Sequence, residues 1–426
     1  GSTELPVTMQ SGLGPSKDSM MQLLHNVVSI SALKKMNEET QTADDLPAAW
    51  PLPLEGKSDT PTTCAGRIWS ADNISSLSEG SCSETEGLCQ DALSQQESAP
   101  TPCLPHFDEQ RFLFERVLTD APRCGGKIEL YYDCERQCTV AVKRILYERL
   151  RSNAEEFQQR NPLEQENPWQ EFNILRRLGG TGPEALRGVC KCHGIYTSAE
   201  GDGIIVSDYA AIGDLFGWAC ALPQPSPERE AQVWPIITAV LETIREMHNV
   251  GIAHGDVSLE NTLITGLGSS TVPGVEAVLT DFGMAVSGAL VGQHGVRGKP
   301  SYQAPEMHAD DTYDARLSDL FAVGVLAYAL VVGNYPWSST RPGSCVAFGY
   351  AQSHSLEALF HKRRLQIRGV RVPVGQIISP EMKRLLLTLM DFDPARRLAA
   401  LDLPQPPAHL TSPQPRCEET EAFWGA

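Results

Sequence analysis

The chain has 426 residues, a formal net charge of −18 and 41% hydrophobic side chains. That size and apolar content suit one large two-lobed domain or two ordinary ones, and the acidity argues against the basic face that a nucleic-acid binder needs. No run of 18 apolar residues occurs, so no membrane span is expected.

Residues 1–105 carry 14 acidic and 5 basic side chains, so a quarter of the chain holds half of the excess negative charge. Their Ser-, Thr-, Pro- and Glu-rich text ("SSLSEGSCSETEG", "QQESAPTPC") reads as a low-complexity extension. Within it, Met21, Leu24, Val28 and Leu33 fall near helical spacing and predict a helix over 18–36. That helix would pack on its own domain or dock on a partner. The first two residues, Gly1-Ser2, have the look of a cloning remnant. The compartment therefore stays open: cytoplasmic is the expectation, secreted the alternative if a leader has been lost.

From residue 106 the texture changes. "GKIELYYD" and "CTVAVKRIL" predict two strands around a polar turn, and "GVCKCHGIYTS" and "GDGIIVSDYA" predict two more. Between the pairs, "NPWQEFNILRRLGG" predicts a helix with Phe172, Leu175 and Leu178 on one face and Gly179-Gly180 at its end. After Gly213 the pattern turns helical, through "AQVWPIITAVLETIREMHNVG", "RLSDLFAVGVLAYALVVG" and "SPEMKRLLLTLMDF". A β-rich part over 106–210 followed by a helical part over 211–403 is an α+β pattern: two lobes with a cleft between them. Residues 404–426 form a Pro-rich tail. The 12 cysteines show no zinc-finger spacing. Cys134 and Cys138 of "CERQC" would straddle a hairpin turn; reduced thiols are expected there, with a disulfide as the alternative.

The chemistry-bearing residues follow one order. Lys143 lies mid-strand in "TVAVKRI"; Asp256 and Asn261 stand five apart in "HGDVSLENTLI"; Asp281 follows twenty residues later in "LTDFG". Ala304-Pro305-Glu306 comes twenty-five residues after Asp281, then Asp319 in "DLFAVG" and Arg397 in "DPARRL". This set resembles the eukaryotic protein kinase superfamily over about 110–403. The resemblance implies ATP and Mg²⁺ as cofactors and protein substrates as partners, with a monomer expected. Lys143 would hold the α- and β-phosphates and needs a carboxylate from the next helix, Glu171 or else Glu166 or Glu164. Asp256 would be the base, Asn261 and Asp281 the metal ligands. Ile128, Ala141 and Leu263 match the apolar adenine positions, and Asp208 to Ala210 match the hinge. Glu306 should pair with Arg397, and Asp319 should hold the catalytic-loop backbone.

Three departures stand out. Where the phosphate-covering loop should read G-x-G-x-x-G, the chain has "APRCGG", with Gly126 alone in register and Pro122 removing a donor. Gly255 replaces the Arg that usually pairs with a phosphorylated activation loop, and Ser258 replaces a Lys beside the base. Lys299, seven residues before Glu306, stands where a Thr is usual, so the Lys and the hydroxyl look exchanged; Lys299 would return the missing charge, the alternative being a solvated loop cation. The losses are similar to those in the FIKK and with-no-Gly-loop kinases of alveolates, though Val140-Ala141-Val142-Lys143 is not the FIKK signature. A Ser/Thr-directed protein kinase is the expected function. The alternatives are a pseudokinase acting as a binding scaffold and a kinase-fold small-molecule phosphotransferase.

Overall fold

The computed structural model describes residues 104–402, apart from 122, 123, 152, 162, 163, 165, 181, 183, 184, 268–274, 289, 310 and 311. The expected helix over 18–36 and the Pro-rich tail over 404–426 lie outside the described residues.

The first lobe is a five-stranded antiparallel sheet of β1 (Phe112–Ala121), β2 (Gly126–Asp133), β3 (Cys138–Ile145), β4 (Cys192–Thr197) and β5 (Gly203–Asp208), in the order β1-β2-β3-β5-β4. Four of these strands are legible as apolar runs; β1 is not, because most of its side chains are exposed and no face-to-face alternation survives. Strand periodicity gives the sheet two different faces. Phe112, Tyr131, Val140, Val142, Ile204 and Val206 bury one face as a separate cluster, on which Phe107 stacks against Phe112 at 4.8 Å. The opposite face carries Ile128, Ala141 and Lys143, because Ile128 and Ile205 pair directly with Lys143 and Leu130 with Ala141. Cys134 in the turn between β2 and β3 and Cys138 at the start of β3 are both exposed free thiols.

Between β3 and β4 the chain forms α1 (Tyr147–Leu150), α2 (Ala154–Arg160) and α3 (Pro168–Leu178). Helix α3 starts where its sequence dictates: the Asn167 side chain accepts hydrogen bonds from the N–H groups of Trp169 and Gln170, and Pro168 occupies the first turn, where no N–H is needed. Phe172, Ile174, Leu175 and Leu178 are buried, and Gly179 caps the end.

The second lobe is built on α4 (Leu215–Cys220), α5 (Pro227–Asn249), α6 (Glu306–Ala309), α7 (Ala315–Val332), α8 (Val346–His354), α9 (Leu356–Lys362), α10 (Val374–Ile377) and α11 (Pro380–Leu389). Helix α5 begins four residues before the apolar run predicts, because Ser226 caps Arg229 N and Pro227 supplies the first turn. Helix α7 is long and apolar enough to cross a membrane by composition, yet it is the central helix of this lobe, with all but two of its side chains buried. Short strands β6 (Ile252–Ala253) and β7 (Thr262–Leu267) flank the 254–261 loop, and β8 (Val275–Leu279) leads into Asp281, which meets Lys143 of the first lobe. Continuous apolar packing joins Ile145 and Ile205 of the sheet, α3, and the helices of the second lobe into one core.

Candidate active site

Lys143 projects from β3 toward α3. Its ammonium lies 2.8 and 3.0 Å from the two carboxylate oxygens of Glu171, and 2.9 Å from Asp281 Oδ1. Of the three carboxylates open to it, Lys143 meets Glu171; Glu164 instead takes Arg149 at 2.6 Å. Burial lowers the tendency of Lys143 to hold its proton, but Asp281 and Glu171 overcome this and raise its pKa. Burial pushes the Glu171 carboxyl up to about 7 against the pull of Lys143. Burial acts the same way on Asp281, but the neighbouring ammonium wins and holds that carboxyl at about 2. Asp281 is therefore ionised at neutral pH, and its backbone sits in the left-handed region at φ 64°. Helix α3 is tied to the segment after Asp281 twice, by Asn167 N to Gly283 O at 2.7 Å and Gln170 Nε2 to Ala285 O at 2.6 Å.

The loop from His254 to Asn261 is held from below by α7. Both oxygens of Asp319 accept backbone N–H bonds, from His254 at 2.8 Å and Gly255 at 2.9 Å, and His248 Nε2 adds a contact at 2.9 Å. Gly255 is required here: its φ is 74°, and a Cβ would stand 2.4 Å from the Met284 carbonyl oxygen. The Asp256 carboxylate is buried and oriented on both oxygens. Oδ2 accepts from Asn261 Nδ2 at 2.9 Å, and Oδ1 accepts from Lys299 N at 3.1 Å.

Lys299 reaches back from the activation segment to this loop. Its Nζ donates to Ser258 Oγ at 2.6 Å and lies 3.7 Å from Asp256 Oδ2 and 3.6 Å from Glu260 Oε2. The cation and the hydroxyl that look exchanged in sequence are thus in contact across 41 residues. The segment then closes on Glu306, whose two oxygens meet Arg397 at 2.5 and 2.9 Å; Arg397 is fully buried, and its guanidinium also covers the Phe321 ring at 4.8 Å.

A model of the protein kinase domain matches residues 125–407. The chain belongs to the protein kinase family. It is similar to the serine/threonine-protein kinase SRK2C of Arabidopsis thaliana, 31% identical over 195 residues, which cover 46% of this chain and 51% of SRK2C. It is also similar to SAPK3 of Oryza sativa subsp. indica, 32% identical over 197 residues (46% of this chain, 52% of SAPK3), and to SAPK2 of the same source, 36% over 134 residues (31% and 37%). The kinase therefore spans about half the length of the first two of these relatives.

The remaining predicted positions fall on strands and connections of both lobes. Ile128, Ala141 and Leu263 are half-buried apolar side chains, whereas the opposite sheet face is sealed. Ala210 is buried at the crossing between lobes, and the side chain of Asp208 is held by His193 Nε2 at 2.6 Å. In the roof, Ala121 pairs with Gly126, and Pro122 and Arg123 lie outside the described residues. A Cβ on Gly126 would stand 1.8 Å from the Arg144 carbonyl oxygen, so this glycine is required by the close approach of β2 to β3. Cys124 is turned inward, with Sγ 3.3 Å from Ala121 O and 3.5 Å from Arg144 O. The contacts from Asn167 and Gln170 to residues 283 and 285 have no sequence signal, since they join polar side chains or backbone at separations of about a hundred residues or more.

Proposed function

We propose that this kinase transfers the γ-phosphate of ATP to Ser or Thr hydroxyls of protein substrates. The observation that carries the reading is the convergence of two charge sets on one cleft: Lys143 with Glu171 and Asp281, and Asp256 with Asn261 and Lys299. The relatives, named serine/threonine-protein kinases, support the choice of acceptor.

In this reading Lys143, steadied by Glu171, neutralises the α- and β-phosphates. Asp256, its carboxylate fixed by Asn261 and the Lys299 amide, orients the acceptor hydroxyl and takes its proton as the oxygen attacks. The donor set fits Mg²⁺, a hard cation that takes oxygen ligands: Asp281 is ionised at neutral pH, and Asn261 uses its NH₂ on Asp256, which leaves the amide oxygen as a ligand. Mg²⁺ would supply charge neutralisation between the β- and γ-phosphates. Ile128, Ala141 and Leu263 would sandwich the adenine, with the backbone from Asp208 to Ala210 reading its edge. Gly126 would stand at the roof over the phosphates. Lys299 would place its charge beside the transferring group, where the Lys replaced by Ser258 is usual.

The test is Mg·ATP-dependent phosphate transfer to a generic protein substrate, with Asp256→Asn as the control. Transfer that vanishes in the variant, with nucleotide-induced stabilisation retained, supports the reading. Nucleotide binding without transfer in the parent chain would refute it in favour of a scaffold.

A further inference from the structure

A second cavity, of about 380 Å³, opens away from the phosphate-transfer residues, between the end of α3, the start of β4 and the β2–β3 turn. Arg136 from the turn, Arg176 from α3, Lys191 just before β4 and His193 within it line the cavity, and no carboxylate is among its described lining residues. Arg136 lies 3.6 Å from Asp133, but Arg176 and Lys191 have no ion pair within 4 Å among the described residues. Lys191 and Arg136 already act on the Asp208 carboxylate, which leaves Arg176 as the cation of this wall without a described anion beside it.

His193 is a second, independent observation. Its side chain is only 5% exposed; Nε2 holds Asp208, and Nδ1 is buried without a hydrogen-bond partner among the described residues. The cations on this wall also act on Asp208: the bond from His193 holds its carboxyl below the usual range against burial, and Lys191 and Arg136 add to the effect.

We propose that this cavity binds a tetrahedral oxyanion, a phosphate or a phosphoryl group, which bridges Arg176 on α3 to Lys191 beside the sheet. Arg and Lys donors match such an anion in charge and geometry. The site would act on the kinase through two existing contacts. Arg176 lies on the same helix as Glu171, and the end of that helix is docked on β4 by Cys192 N to Gly179 O at 2.7 Å. His193 and the Lys191 carbonyl both hold Asp208, the last residue of β5 before the chain leaves the sheet.

The test uses the full chain and inorganic phosphate, at ionic strength held constant with sodium chloride. The expected result is a saturable rise in Tm for the parent chain. Arg176→Gln/Lys191→Gln should weaken phosphate binding by about tenfold or more, while Arg176→Lys/Lys191→Arg stays within about threefold. Because both side chains are surface-placed, the ATP-induced Tm shift should survive in both variants. Hydrogen exchange in the parent chain is the second readout, with amides of α3 and β4 protected on phosphate addition. A phosphoserine peptide that binds about tenfold tighter than inorganic phosphate identifies a carried phosphoryl group; equal affinity identifies the free ion. A non-saturating Tm rise equal in parent and Gln variant is general ion exclusion and overturns the proposal. So does phosphate binding without protection of α3 and β4.

Discussion

Lys299→Thr is the sharpest single test of the site's charge arrangement. The ammonium lies 3.7 Å from Asp256 Oδ2 and 2.6 Å from Ser258 Oγ, beside the point where charge develops during transfer. A unit charge about 4 Å from another is worth about 4 kcal/mol at an effective dielectric constant of about 20. Lys299 keeps 27% of its side-chain exposure, so solvent screening reduces this to about 2–3 kcal/mol. The expected loss in kcat is therefore about a hundredfold. Tm should change little, because the backbone N–H of residue 299 still donates to Asp256. The assay is steady-state transfer with kcat and KM separated. The decisive partner is Lys299→Thr/Ser258→Lys, which returns the cation to the other end of the same contact and should recover at least tenfold of the loss. A single variant with kcat within threefold of the parent, or a double variant no better than the single, would refute the reasoning.

Glu306→Gln leaves the Arg397 guanidinium buried with its charge uncompensated, at a cost of about 3–5 kcal/mol in denaturant unfolding; a loss below about 1 kcal/mol would contradict the buried-pair argument. Gly255→Ala forces a Cβ to 2.4 Å from the Met284 carbonyl at a positive φ, and should cost about 1–3 kcal/mol in the same assay. An unchanged midpoint would mean the loop relaxes freely. Ser287→Ala and Ser301→Ala should leave kcat within a few-fold, because Gly255 provides no guanidinium to meet a phosphate on this segment. Near-total loss in either would show that a phosphate there is needed.

The residues of the candidate site could be nominated from sequence because each must be a particular chemical type at a particular spacing. Lys143, Asp256, Asn261 and Asp281 are such residues; Lys143 meets Asp281, Asp256 meets Asn261, and the Thr280 N–H donates to the Asn261 carbonyl between the two pairs. Local signals also set two helix starts: Asn167-Pro168 starts α3 and Ser226-Pro227 starts α5. Strand β1 was illegible because its exposed side chains carry no alternation.

By itself, the sequence determined the order of the elements, the two-lobed α+β architecture and the inventory of charged groups, because helical and strand periodicity and capping act over a few residues. Tertiary structure decided which charges meet. Lys143 had three carboxylates open to it, and only the seating of α3 on the sheet selects Glu171. The Lys299–Ser258 contact spans 41 residues, and the Glu306–Arg397 pair 91. The cation-lined cavity draws on the β2–β3 turn, α3 and β4, which no local pattern connects. Electrostatic energies fall with distance in space, and distance along the chain does not report it.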